Sequence, residues 1–235
     1  MPDDEVSRIL VITAHPDDVD FGAAGSVATW TDAGAEVAYC IITDGEAGGF
    51  DASLSRASMA SIRRAEQTAA AKVVGVTDLT FLGYPDGRLE VSIDLRRDIS
   101  RVIRQFRPER VLCQSPERSW GRIYASHPDH LAAGEAAMCA VYPDSRNQFA
   151  HPELAELEEW AVPEVWVMAQ NNPNRWMDIT TQLDRKVGAL LCHESQMTDP
   201  DQMAERMRAW GAAQAAAGGM PEGRLAESFM VVSTA

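Results

Sequence analysis

The stretch Arg8-Ile9-Leu10-Val11-Ile12-Thr13-Ala14-His15-Pro16-Asp17-Asp18 decides the fold. Its first seven residues are mostly apolar and rich in β-branched side chains, and they read as a strand buried on both faces. The chain then turns polar at once. Residues 22–33 are small and apolar and read as a helix. Strand, acidic loop, helix is the order in which open α/β sheets present a ligand site beyond the carboxyl ends of their strands.

The passage has a second copy. Arg110-Val111-Leu112-Cys113 is another apolar run, followed after a loop by Ser126-His127-Pro128-Asp129-His130 and a helical stretch at residues 131–141. Both His-Pro-Asp motifs are thus expected at one edge of a parallel sheet, where they can meet. Proline after each histidine biases that histidine to extended backbone.

The remainder alternates in the same way. Residues 36–43, 79–82 and 165–168 read as strands, and residues 57–74, 91–106 and 181–192 as helices, the second helix with Ser92 or Asp94 near its start. This predicts a Rossmann-like, doubly wound, mostly parallel α/β sheet, with residues 1–235 forming a single domain. The loop at residues 44–51 matches neither the dinucleotide fingerprint nor the Walker pattern. Residues 212–223, rich in Ala and Gly, read as a tail segment or a helix end. His151-Pro152-Glu153 looks like a third copy of the motif, but it leads into an acidic helical pattern at residues 154–160 and reads as a capped surface helix. His193 ends the helix at residues 181–192, where it can bond the last carbonyls.

The two loops hold three of the five histidines and three carboxylates: His15, Asp17, Asp18, His127, Asp129 and His130. Two histidines and one carboxylate can bind Zn²⁺ and leave a coordination position open to water. The other three groups then suit a base, an acid and an orienter, which points to metal-assisted hydrolysis. Adjacent side chains in extended backbone point apart, so one of Asp17 and Asp18 binds metal while the other faces the water. Two histidine ligands suit Zn²⁺ or Fe²⁺ better than Mg²⁺, which disfavours a phosphoesterase using paired aspartates.

Composition narrows the partners. The formal net charge is −14, with no Lys/Arg cluster, so neither nucleic acid nor an anionic membrane is an expected partner. The first residues, Met1 to Glu5, lack the basic and apolar regions of a secretory signal, and no apolar run reaches membrane-spanning length. Cys40, Cys113, Cys139 and Cys192 form no Cys-x-x-Cys pair and read as reduced thiols of a cytoplasmic protein. Whether the chain forms a homo-oligomer stays open.

Taken in order, Ala14-His15-Pro16-Asp17-Asp18, Arg63-x-x-Glu66, Leu82-Gly83-x-Pro85-Asp86-Gly87, His127-Pro128-Asp129-His130 and His193-x-Ser195-Gln196 resemble the LmbE-like, or PIG-L, family of zinc-dependent N-acetylglucosaminyl deacetylases. The resemblance spans most of the chain. Ala24 departs from it where many members have glycine, and Tyr124 is offset from a tyrosine that some members place before the second motif. The resemblance implies that His15, Asp18 and His130 hold the metal, Zn²⁺ or Fe²⁺. It makes Asp17 the general base, His127 the oxyanion stabiliser or acid for the leaving amine, and Asp129 the orienter of His127. It places Arg63, Glu46 and Asp86 around the sugar hydroxyls. Arg63 with Glu66 also reads as an ordinary i,i+3 helix pair, and Trp120 as a residue that can line a pocket.

The expected protein is therefore a metal-dependent hydrolase that removes an N-acyl group, most simply N-acetyl, from a small amino-sugar conjugate. Two other readings stay open: an amidase acting on a thiol conjugate or an antibiotic precursor, and a non-catalytic sugar- or metal-binding module. Binding alone has no use for a base and an oxyanion stabiliser.

Overall fold

The computed structural model describes residues 5–234; Met1–Asp4, which include most of the acidic start, and Ala235 lie outside the described residues. Strands β1 (Arg8–Thr13), β2 (Glu36–Thr43), β3 (Asp78–Tyr84), β4 (Arg110–Gln114) and β5 (Glu164–Met168) are parallel. Strands β6 (Arg175–Asp178) and β7 (Ala226–Ser233) run antiparallel to their neighbours, and the sheet order is β3-β2-β1-β4-β5-β7-β6. The chain steps outward from β1 to β3, then returns to place β4 on the other side of β1. That reversal opens a crevice beyond the ends of β1 and β4, where sheets of this kind bind ligands.

Side-chain alternation along β1 explains the helices on both faces. Ile9 and Val11 point into one core with Val19, Ala23 and Val27 of α1 (Asp18–Asp32) and Leu183 and Leu190 of α5 (Leu183–Leu191). That layer also takes Ala70 and Ala71 of α2 (Arg56–Val73) and Met203 and Met207 of α6 (Met203–Ala217). Leu10 and Ile12 point the other way, against Leu95, Ile99 and Ile103 of α3 (Ile93–Phe106) and Ala133 and Ala136 of α4 (Pro128–Cys139). The spacing 95, 99, 103 is one apolar stripe of a helix, and the Ser92 hydroxyl, rather than Asp94, caps α3 by accepting from Leu95 N at 3.1 Å.

Two expectations need correction. Residues 154–160 form no α-helix; the segment holds one 3₁₀ turn, Pro152–Leu154. Buried Arg104 draws this segment inward by donating to the carbonyls of Leu154, Leu157, Asp144, Asn147 and Ser145. His151 is accordingly buried, with Nε2 3.3 Å from an Asp144 carboxylate oxygen, and is no surface cap. Of the two readings of residues 212–223, the helix end holds for residues 212–217, which complete α6 before its cap at Gly218. Strands β6 and β7 are additions: β6 has only four residues, and β7 carries a fully buried Glu227 that interrupts its apolar pattern. Lys186 Nζ lies 2.7 Å from Glu227 and also donates to the carbonyls of Asp20 and Phe21, while Ser26 donates to Glu227 from Oγ and N. This pair ties α5 and β7 to the start of α1.

No helix among the described residues is long and apolar enough to cross a membrane, and the four cysteines are free.

Candidate metal centre and active site

The two His-Pro-Asp loops meet. His15 follows β1, Asp18 opens α1, and His127 and His130 frame the start of α4. His15 Nδ1 lies 3.2 Å from His130 Nε2 and 3.4 Å from Asp18 Oδ2, and His130 Nε2 lies 3.0 Å from Asp18 Oδ1. Tetrahedral ligands at 2.0–2.2 Å from zinc stand about 3.3–3.6 Å apart. The two imidazole nitrogens are therefore spaced much as one ion requires, with one Asp18 oxygen facing each of them.

The outer contacts of each imidazole agree with that use. His130 Nδ1 faces the Ala125 carbonyl at 3.4 Å, leaving Nε2 toward Asp18. His15 Nε2 faces Asp86 at 3.1 Å and Asp129 at 3.3 Å, leaving Nδ1 inward. A ligating histidine typically donates its other N–H to a carboxylate or carbonyl in this manner. His15 also groups with Asp86 and Asp129, and with His127 and His130, at distances short enough for a cation. The first of these groupings is less suited. Asp86 already accepts from Ala47 N, and Asp129 from Gly87 N and Leu89 N, so both serve as anchors behind His15. Burial opposes charge on His15, but bonds to Asp129, Asp18 and Asp86 outweigh it and push its pKa up to about 12. The cluster as a whole favours a cation.

Asp17 stands apart from the triangle, as expected, but for a different backbone reason. It is left-handed, φ 86°, rather than extended. Such a conformation costs a non-glycine residue roughly 1–2 kcal/mol and must be held. Gln67 Oε1 accepts from Asp17 N at 2.7 Å, and Arg63 donates to the Pro16 carbonyl at 2.6 Å and to Asp17 Oδ2 at 2.9 Å. Behind this, Gln67 Nε2 donates to Asp20, whose same oxygen lies 2.8 Å from His193 Nε2. Burial raises the Asp17 pKa to about 6, with the Arg63 charge opposing and the Asp18 charge reinforcing the rise.

The remaining predicted residues fall as follows. His127 is exposed, with its ring centroid 5.0 Å from that of His15 and 5.4 Å from that of His130. Its Nδ1 accepts from Asp129 N at 3.2 Å as the N-cap of α4, so in the neutral ring the proton sits on Nε2. Burial lowers its pKa, and charge on His15 and His130 lowers it further. The Asp129 carboxylate orients His15; only its backbone N–H reaches the His127 ring, because the pair spans the first turn of a helix. Arg63 is buried against Asp17 and the Gly45 carbonyl. A Cβ on Gly45, φ +63°, would lie 2.2 Å from that guanidinium, which accounts for the glycine in this loop. Arg63 and Glu66 do not pair: Glu66 turns instead to Ser195 N and Oγ. Glu46 accepts from Arg56 and from Asp86 N at the edge of the cluster. Trp120 is 82% exposed and lies under Arg118.

A cavity of about 680 Å³ opens from one side of the donor triangle, lined by Asp18 and His130 and then by Phe21, Met168, Met207 and Trp210. Gln67, Asp20 and the α6 side chains were not among the residues singled out from sequence. Gln67, between Glu66 and Thr68, and Asp20, just after Asp17 and Asp18, are not distinguished from their polar neighbours by sequence, and only contact with Asp17 and His193 gives them a part.

Comparison with known proteins follows the same outline. Residues 10–141 match the PIG-L family, described as GlcNAc-PI de-N-acetylase. The diacetylchitobiose deacetylase of Thermococcus kodakarensis is 33% identical over 199 residues, covering 84% of this chain and 73% of that protein. The chain belongs to the PIG-L family. Among solved structures, the N,N'-diacetylchitobiose deacetylase from Pyrococcus horikoshii, complexed with an inhibitor, superposes with TM-score 0.89 at 29% identity, covering 99% of this chain and 86% of that one. The 4-carboxy-2-hydroxymuconate hydratase of Pseudomonas putida has TM-score 0.80 at 22% identity, covering 97% of each chain, a likeness of fold alone. One PIG-L scaffold thus resembles proteins of different named activities, and chemistry has to be argued from the site.

Proposed function

We propose that this PIG-L family protein is a zinc-dependent N-deacylase acting on a small N-acyl amino-sugar conjugate. The observation that carries the reading is the triangle of His15 Nδ1, Asp18 and His130 Nε2, with edges of 3.0–3.4 Å, beside the separately held carboxylate of Asp17. The curated relatives named as deacetylases of N-acetylated sugars support the substrate class.

His15, Asp18 and His130 would hold the ion; Fe²⁺ suits the same donors. When bound, the ion polarises the amide carbonyl and lowers the pKa of the attacking water. Asp17 takes the proton of that water. Its raised pKa of about 6 makes it a stronger base than an ordinary carboxylate, still ionised at neutral pH. Arg63 and Gln67 hold Asp17 in its left-handed conformation. His127 donates its Nε2–H to the oxygen of the tetrahedral intermediate or, once protonated on both ring nitrogens, gives the Nε2 proton to the departing amine. Asp86 and Asp129 hold His15, and Glu46 and Asp86 lie on the side where sugar hydroxyls would be bound. Water adds to the carbonyl carbon, the C–N bond breaks, and a carboxylate and a primary amine are released.

The test is to load the purified protein with Zn²⁺ and incubate it with N-acetylglucosamine and N,N'-diacetylchitobiose, detecting free amine. Amine release that a chelator abolishes and Zn²⁺ restores is the expected result. A fully metal-loaded protein that releases no amine from any N-acyl amino sugar would overturn the assignment.

A further inference from the structure

We propose that the cavity beside the donor triangle receives the acyl chain of the substrate, and that the enzyme favours N-acyl groups longer than acetyl. This rests on the N-deacylase reading and sharpens its substrate class. The scissile carbonyl carbon carries the nitrogen on one side and the acyl chain on the other. His127, the donor beside the reacting amide, does not line the cavity, and neither do Asp17 or Glu46 and Asp86, the residues on the sugar side. The amine and its sugar therefore belong on the His127 side. Asp18 and His130 do line the cavity, so the acyl chain leaves the reacting carbon directly into it.

The wall has the chemistry of an acyl site. Phe21 and Gly22 come from α1, Met168 from the end of β5, and Met207 and Trp210 from α6. Phe21 keeps 37% of its surface exposed within this concave wall, apolar area that a hydrocarbon chain would cover. Two methionines give a surface that adapts to chains of different length. The volume, about 680 Å³, is in the range that encloses a whole small ligand, far beyond the single methyl of an acetyl group. Arg206 and Tyr124, the exposed polar members of the lining, suit a mouth open to water.

The experiment uses zinc-loaded protein and N-acetyl-, N-butanoyl-, N-hexanoyl- and N-octanoylglucosamine, with octyl N-acetylglucosaminide as a control for a chain on the anomeric oxygen. Full burial of one methylene is worth roughly fourfold. The kcat/KM for N-hexanoyl is expected to exceed that for N-acetyl at least tenfold. In the turnover-impaired Asp17→Asn variant, calorimetry should show N-octanoylglucosamine binding more tightly than N-acetylglucosamine. Ala209→Phe, at an exposed helix position on the cavity wall, should cut the octanoyl-to-acetyl ratio of kcat/KM at least tenfold. Hydrolysis of N-acetyl with no gain in rate or binding from longer chains overturns the proposal and leaves the N-deacylase reading intact. So does a gain with the octyl glycoside alone, or an octanoyl preference that Ala209→Phe leaves in place. Loss of turnover on every substrate defeats the reading itself, and the calorimetric series then decides whether the cavity binds acyl chains.

Discussion

Asp17 combines a left-handed backbone, φ 86°, with a pKa of about 6. Its proposed function as a base needs the ionised form. Because burial has raised the pKa, that form is lost as pH falls through about 6, rather than through the usual carboxylate range near 4. In metal-free protein Asp17 should therefore titrate with a midpoint near 6, read from its carboxyl carbon chemical shift against pH; an ordinary carboxylate midpoint near 4 would show that burial does not govern it. Asp17→Asn should keep its metal, by elemental analysis, and lose turnover by ~10²–10⁴-fold; near wild-type turnover would exclude Asp17 as base. His130→Ala should lose metal and activity together, since a three-ligand site has none to spare. His151→Ala should keep its full metal content, because His151 contacts Asp144 and not the centre.

At the scale of elements, the buried pair Lys186–Glu227 joins α5 and β7 and also reaches the first turn of α1, the helix that carries Asp18. Removing one partner strands a buried charge. Lys186→Met should destabilise the fold by about 3–5 kcal/mol, whereas exchanging both, Lys186→Met with Glu227→Gln, should recover part of that loss. Denaturant midpoints of the two variants measure it. An unchanged midpoint in the single variant would show that the Lys186–Glu227 contact does not hold α5 and β7 to α1.

For the whole molecule, the proposed donors come from two segments remote in sequence: His15 and Asp18 from the turn between β1 and α1, and His130 from the first turn of α4. A ligand bound only to the folded state stabilises it by RT ln(1 + [L]/Kd), about 2.7 kcal/mol at a hundred times Kd. Adding Zn²⁺ to chelated protein should raise Tm by several degrees, and His130→Ala should abolish the rise. A Zn²⁺-dependent shift of wild-type size in that variant would place the ion elsewhere.

The sequence by itself determined the parallel core of the sheet. Double burial of a strand leaves an apolar run, and β1, β2, β4 and β5 each show one. It also determined that two metal-capable loops lie at one sheet edge, because each follows such a strand, the first at once and the second after a loop. It did not determine β6, β7 or the path of residues 154–160. Their conformations depend on partners distant in the chain: Lys186 for Glu227, Arg104 for the carbonyls around Leu154. The same holds within the site. That Asp129 grips His15 rather than His127, that Gln67 holds the backbone of Asp17, and that α6 walls the cavity are all contacts between remote segments. Local pattern reports which face of an element is apolar; which buried polar group finds which partner is decided only when the segments pack.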